Sequence, residues 1–222
     1  MGIADVNNDK LNDLITIDST AQQVTIYYYD DASFKFDSAS TFDVENGWTI
    51  DSIIPITVTS GLADLILVVS KYSNSSLQTK LQYYKQEQSG SSESGTQYHT
   101  WKIEQNQLSD TMIQPGSQPM TLDANGDQSM DLLYELAGNG GIKVSLGSRA
   151  DPSKWEQQDF FSTYVLSSSE AEGCKNPNTQ DSISLPDSNA FLDLNGDCIP
   201  DIVLTRQKST GETYYEIYSQ VF

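Results

Sequence analysis

The chain has 222 residues, 37% of them hydrophobic and 19% charged, and its 31 acidic against 12 basic side chains leave a formal charge of −19. That field repels a phosphate backbone, which removes nucleic acid from the partner classes. No run of about 18 apolar residues reads as a membrane span, and no basic stretch followed by an apolar one opens the chain.

The first motif is Asp5-Val6-Asn7-Asn8-Asp9-Lys10-Leu11-Asn12-Asp13, a nine-residue loop of the form D-x-N-x-D-x-x-x-D. It runs into Leu14-Ile15-Thr16-Ile17, an apolar run of strand length. A second strand follows at Val24 to Tyr29, where apolar and polar positions partly alternate as in an antiparallel neighbour. Next comes Asp64 to Val69 with its partner Leu77 to Tyr84, the same strand pair behind a degenerate loop. Counting back from Asp64, the ligand positions hold Ile56, Val58 and Ser60, none of which offers a carboxylate.

Two full copies follow. Asp123-Ala124-Asn125-Gly126-Asp127-Gln128-Ser129-Met130-Asp131 feeds Leu132 to Leu136 and then Ile142 to Leu146. Asp193-Leu194-Asn195-Gly196-Asp197-Cys198-Ile199-Pro200-Asp201 feeds Ile202 to Thr205 and then Tyr214 to Tyr218. The anchoring aspartates Asp13, Asp64, Asp131 and Asp201 lie 51, 67 and 70 residues apart, the length of one four-stranded sheet with its loops. The sequence therefore predicts an all-β chain, a single segment over 1–222 built as a β-propeller with blades at roughly 1–45, 46–112, 113–180 and 181–222. Gln86 to Gln97 and Ser167 to Pro186, rich in polar residues, read as long inter-strand loops, and no helix of three turns is expected.

The loop chemistry points to a hard cation. Side-chain oxygens at positions 1, 3 and 5, a backbone carbonyl at position 7 and a carboxylate at position 9 form an oxygen-only set suited to Ca²⁺. The candidate ligands are Asp5, Asn7, Asp9, Leu11 and Asp13; Asp123, Asn125, Asp127, Ser129 and Asp131; and Asp193, Asn195, Asp197, Ile199 and Asp201. About three structural calcium ions are expected, bringing the net charge to about −13. An EF-hand would need Glu at position 12, which holds Thr16, Tyr134 and Leu204 instead. Asx-turn formation alone would explain Asp and Asn at these positions, but it does not require the aspartate at position 9.

These loops and the strands after them resemble the calcium-binding cores of integrin-α-type FG-GAP (VCBS-type) repeats. The order of full, degenerate, full and full loops, with Pro119 to Asp127 and Asn189 to Asp193, is more narrowly similar to the amino-terminal half of the T-cell immunomodulatory protein family. That resemblance implies four-stranded blades, calcium on the fifteen residues named above, and a non-enzymatic extracellular module for protein binding or adhesion. It further implies a single-pass membrane glycoprotein whose span lies outside this segment, or a secreted one. Such a propeller would have about seven blades, so three to four blades read as a fragment of a larger one. Asn8 stands where the later loops have Gly126 and Gly196, a left-handed position that Asn tolerates.

Other features are less specific. Asn74-Ser75-Ser76 is an N-glycosylation sequon. His99, the only histidine, reads as a sheet-face residue with no nucleophile motif beside it. Trp48, Trp101 and Trp155 read as blade packing, with a sugar-binding face as the alternative that would make the module lectin-like. A propeller appended to a hydrolase is a third possibility. Cys174 and Cys198 form a disulfide, or Cys198 is a small buried residue.

Overall fold

The computed structural model describes residues 1–57, 62–91, 97–138, 141–148, 150–151, 154–160, 181–185 and 189–219, and its elements are all strands. They gather into four antiparallel sheets, none closed on itself. Sheet 1 is a meander of β1 (Gly2–Ala4), β2 (Asp13–Ile17), β3 (Gln23–Asp30) and β4 (Lys35–Asp43). Sheet 2 runs β5 (Thr49–Thr57), β6 (Ala63–Ser73), β7 (Ser76–Ser91) and β8 (Gln97–Ile103), with the short β9 (Met112–Ile113) beside β7. Sheet 3 repeats the meander with β10 (Met120–Leu122), β11 (Asp131–Glu135), β12 (Ile142–Gly147) and β13 (Trp155–Asp159). In sheet 4, β14 (Ser182–Ile183) and β15 (Ala190–Leu192) share one side of β16 (Asp201–Gln207), and β17 (Thr213–Tyr218) takes the other.

The chain divides into two compact units, Met1–Met112 with Ser148–Trp155, and Ile113–Gly147 with Glu156–Phe222. Sheets 1 and 2, apart from Ile113, fall in the first, and sheets 3 and 4, apart from Trp155, in the second. In β3, Val24, Ile26 and Tyr28 are buried while the residues between them are only half-buried, the period-2 pattern of a strand with one face on a core. In β6 the run from Ala63 to Ser70 is buried on both faces, which is why it reads as a continuous apolar stretch. The β6–β7 turn places Asn74 and Ser75 at φ of 50° and 65°, a two-residue turn of the left-handed type that matches strand twist. The sequon asparagine thus sits exposed at a hairpin tip.

Within each unit a core lies between its two sheets. In the first, Ile15, Val24 and Ile26 of sheet 1 pack with Leu65, Leu67, Val69, Tyr84 and Trp101 of sheet 2. In the second, Leu133, Ile142 and Val144 of sheet 3 pack with Ile183, Ile202 and Leu204 of sheet 4. Each such side chain, fully buried, contributes about 1.5–3 kcal/mol relative to exposure. In both units the face that bears the anchoring aspartate of the earlier sheet lies against the opposite face of the later one.

The structure corrects one loop boundary. The stretch from Gln86 to Gln97 was expected to be a loop, yet β7 continues to Ser91 and β8 begins at Gln97. Gln86, Glu87 and Gln88 pair with Trp101, Thr100 and His99, because ladder bonds use the backbone and accept polar side chains. Of the segment Ser167 to Pro186, Asp181 to Leu185 alone is described, and it holds β14 instead of loop throughout.

His99, in β8, is only 3% exposed. Its carbonyl accepts the Ser40 hydroxyl at 3.0 Å, and its ring meets Tyr28 edge-on at 5.9 Å. With the Gln86 amide nitrogen donating to the Val6 and Ala63 carbonyls, the Gln86 oxygen accepts the His99 Nδ1–H at 3.2 Å. Burial holds the His99 imidazole below its ordinary value of 6.5. A folded-state value below the unfolded one favours the fold while the ring is neutral, and that contribution is lost as pH falls below 6.5. Because His99 is the only histidine, its imidazole NMR signals report directly: a midpoint below 6.5 is expected, and a midpoint at or above 6.5 would contradict the burial argument.

Candidate metal centre

The three full loops adopt one geometry at the heads of sheets 1, 3 and 4. Positions 4 and 6 are left-handed in each: Asn8 and Lys10 at φ of 63° and 73°, Gly126 and Gln128 at 73° and 64°, Gly196 and Cys198 at 80° and 69°. This double reversal curls the backbone around the position-1 carboxylate. In the first loop the Asp9 N–H donates to Asp5 Oδ1 and to Asn7 Oδ1 (both 3.1 Å), and the Lys10 N–H donates to Asp5 Oδ2 (3.0 Å). In the second, the Asp127 N–H donates to Asp123 Oδ1 and Asn125 Oδ1 (3.1 and 3.0 Å), and the Gln128 N–H to Asp123 Oδ2 (3.0 Å). The third differs in one bond: Gly196 N–H, at 2.7 Å, takes Asp193 Oδ1, while Cys198 N–H donates to Oδ2 at 2.9 Å.

Position 5 closes the loop onto position 7. The N–H groups of Leu11, Ser129 and Ile199 donate to Oδ1 of Asp9, Asp127 and Asp197 at 2.8, 2.7 and 2.8 Å. The amides of Asn7, Asn125 and Asn195 donate to the other oxygen of the same carboxylates at 2.8, 3.2 and 2.9 Å. Side-chain oxygens of positions 1, 3 and 5 are thereby gathered on one small exposed turn. Each carboxylate oxygen that accepts one hydrogen bond retains a lone pair for a further partner.

Position 9 lies elsewhere. Asp13, Asp131 and Asp201 are 0% exposed. Asp13 Oδ2 accepts the Val6 N–H at 2.9 Å and Oδ1 the Tyr29 N–H at 3.0 Å. Asp131 repeats this with Ala124 at 2.7 Å and Gly147 at 2.9 Å. Asp201 Oδ2 accepts the Leu194 N–H at 3.0 Å, and the matching position across the sheet, 220, lies outside the described residues. Asp13 and Asp131 therefore each tie the amide seven residues before them to the amide sixteen residues after them. Burial pushes the Asp13 carboxyl up from 3.8 and that of Asp131 up to about 6, against the pull of the two amides.

Sheet 2 keeps the anchor and changes the tie. The Gln86 N–H donates to Asp64 Oδ1 at 2.8 Å, and the Tyr83 hydroxyl at 2.5 Å supplies the partner that a loop amide supplies elsewhere. Ile56 is buried in β5. Val58 and Ser60 lie outside the described residues. Sequence reasoning did not single out Tyr83, and nothing in the spacing of Asp64 and Tyr83 points to their contact.

Among the described residues no three His, Cys, Asp or Glu side chains converge as a metal cluster. The reason is the division just described: each loop presents two carboxylates and an asparagine at its tip, while the third carboxylate faces backbone amides inside. The donors that remain are all oxygen, the hard set that suits Ca²⁺. None of the loop aspartates takes part in an ion pair among the described residues, although seven such pairs occur elsewhere. The second and third loops contain no basic residue at all.

The remaining candidates resolve individually. Cys198 is exposed with a free thiol, so the buried reading is corrected: its left-handed backbone turns the residue outward at the loop tip. Cys174 lies outside the described residues. Trp48, Trp101 and Trp155 are buried at 4%, 8% and 4% exposure and present no open aromatic platform. Trp48 is flanked by the Lys71 and Lys80 ammonium groups, 4.2 and 4.3 Å from its ring centroid. A polar cavity of about 430 Å³ beside sheet 1 is lined by Asp18, Asp43 and Glu45 among others. Those carboxylates are engaged with Thr20, Gln23 and Lys80 respectively, and the lining holds no histidine, serine or cysteine.

Compared with known proteins, the chain matches no family model and no curated protein sequence.

The anchor can be tested apart from any metal. Asp131→Ala strands two amides and should cost about 2–4 kcal/mol in urea unfolding. Asp131→Asn, which keeps an acceptor without the charge, should cost less. In chelator the raised Asp131 carboxyl favours the fold below 3.8, and that contribution is lost as pH rises through about 6. Asp131→Asn should flatten this part of the pH profile of stability, and an unchanged profile would show that Asp131 is not its source.

Proposed function

We propose that the chain is a calcium-binding scaffold built as a partial β-propeller of FG-GAP-type blades, which presents loops to a protein ligand on the extracellular side of a membrane or in secreted form. The observation that carries this reading is the same Asp/Asn loop, in the same left-handed conformation, at the head of three sheets, with its carboxylates unpaired by any basic side chain among the described residues. Like charges held this close on a turn repel one another, and a divalent cation offsets that repulsion more directly than turn geometry does. Asp5, Asn7 and Asp9, with the Leu11 carbonyl, would hold one ion; Asp123, Asn125, Asp127 and Ser129 a second; Asp193, Asn195, Asp197 and Ile199 a third. Asp13, Asp131 and Asp201 would join through the lone pairs their amide bonds leave free.

In this reading calcium is structural. It neutralises the loop tip and couples it to the anchored strand behind, so the ion supports a surface and performs no reaction. The antiparallel sheets, packed face to face within each unit, support the propeller reading. The burial of the tryptophans takes away the feature on which a lectin reading stood.

Calorimetric titration with Ca²⁺ should give a stoichiometry near three, with a raised melting temperature that chelator reverses. A site held at about 100 times its dissociation constant adds about 2.7 kcal/mol. Asp127→Ala should remove one ion and leave the other two, and an unchanged stoichiometry in that variant would refute the assignment. A folded chain that binds no Ca²⁺ would reduce the loops to Asx-type turns.

A further inference from the structure

The one N-glycosylation sequon of the chain, Asn74-Ser75-Ser76, has no place in the function proposed above. Asn74 and Ser75 are the two left-handed residues of the β6–β7 turn, at φ of 50° and 65°, and Ser73 pairs Ser76 across it. Asn74, Ser75 and Ser76 are all exposed, and no hydrogen bond among the described residues engages the Asn74 carboxamide. The Ser76 hydroxyl donates to the Ser73 carbonyl at 2.9 Å on the surface of the same turn. A glycan on Asn74 would therefore leave the hairpin directly into solvent, displacing no core contact and no ladder bond.

The hairpin beneath this turn lacks what protects the rest of the surface. β5 begins at Thr49, opposite Ser70, so Lys71, Tyr72 and Ser73 run past the end of that neighbour with no ladder partner on its side. Tyr72, paired to Leu77 across the hairpin, is 81% exposed. From Leu65 to Gln86 the chain has three lysines and no acidic residue, the longest acid-free run in a sequence with 31 acidic side chains. The Lys71 ammonium group does not guard the edge, because it lies over the Trp48 ring, 4.2 Å from the centroid. An unpaired strand edge with an exposed aromatic and none of the chain's prevailing negative charge is the setting in which strands of different copies pair. A bulky, strongly hydrated group at position 74 covers such an edge sterically.

We propose that Asn74 carries an N-linked oligosaccharide, which shields the protruding β6–β7 hairpin from edge-to-edge pairing. The donor is a polyprenyl-pyrophosphate-linked oligosaccharide, and a cellular oligosaccharyl transferase carries out the step. Asn74 Nδ2 attacks the anomeric carbon; the N–C bond forms as the C–O bond to pyrophosphate breaks, one amide proton passes to solvent, and the polyprenyl pyrophosphate leaves. The Ser76 hydroxyl is the second recognition element of the acceptor. The inference rests on the extracellular or secreted reading, since the acceptor must enter the secretory pathway, and it does not rest on calcium.

The full chain, expressed behind an added secretion signal in a glycosylating eukaryotic host, tests it with routing imposed. Its intact mass is read before and after an amidase that releases N-glycans. The wild type should carry one glycan that the enzyme removes, Asn74→Gln and Ser76→Ala should carry none, and Ser76→Thr should keep it. Light scattering over a concentration series then compares the glycosylated chain with the enzymatically released chain and with Asn74→Gln. The glycosylated chain should stay monomeric where the other two associate, and adding Tyr72→Glu to Asn74→Gln should restore the monomer. All three positions are exposed, and unchanged melting curves verify that the variants fold. A secreted, folded wild type without a glycan, a glycan that survives Asn74→Gln, or equal association with and without the sugar would overturn the proposal. Fractionation of cells that make the protein naturally separates the two readings: a cytosolic chain refutes the extracellular one, whereas a secreted chain bare at Asn74 refutes the glycan alone.

Discussion

A buried carboxylate at the head of the central strand organises every sheet of this protein. Asp13 and Asp131 each accept two backbone amides, one from the loop that enters the strand and one from the strand alongside. Asp201 holds the loop amide in the same way, and Asp64 substitutes a tyrosine hydroxyl for it. A carboxylate out of water is costly unless hydrogen bonds compensate, and hydrogen bonds to charged groups contribute roughly twice what neutral ones do. The arrangement therefore fixes loop, strand and neighbouring strand against one another at one point. The rest of each sheet is ordinary ladder pairing and side-chain burial around that point.

The nine-residue loops sit directly on these anchors, and this explains how one motif serves both fold and site. Positions 1, 3 and 5 close the turn by accepting hydrogen bonds from its backbone amides. The carboxylates at the tip have no basic partner among the described residues, and the buried carboxylate lies beneath them. In the proposed function these are one device: calcium at the tip would strengthen the clamp, and the clamp would hold the ligands in place. Sheet 2 shows that the clamp does not depend on the tip, since Asp64 retains it where the acidic loop is gone.

Repetition also governs the cores. Sheets 3 and 4 share a 70-residue offset down to the interrupted first strand: Ile113 bridges Leu136 as Ile183 pairs Arg206, and Met120 pairs Leu133 as Ala190 pairs Val203. Position 136 is leucine, but position 206 is a fully buried arginine ion-paired to Glu216 at 2.8 Å. A polar network with Asp181, Tyr214 and Tyr218 surrounds it. The repeat thus tolerates very different chemistry at one register position so long as hydrogen bonds satisfy it.

The strands behind the loops, the all-β class and the spacing of the repeat were legible in the residues themselves, because an Asp/Asn loop followed by an apolar run is a local pattern. The first strands β1, β10, β14 and β15 were not, since two or three residues are too few to show a period, and the extent of β7 was hidden by polar side chains. The sequence also determined which side chains populate the loop tips, where geometry depends on neighbours within nine residues. The double role of the position-9 aspartates is a product of tertiary structure alone. The second amide that Asp13 or Asp131 accepts comes from sixteen residues further on, after a full strand and turn. Which backbone group arrives there is decided by strand register, a long-range pairing that no local pattern encodes.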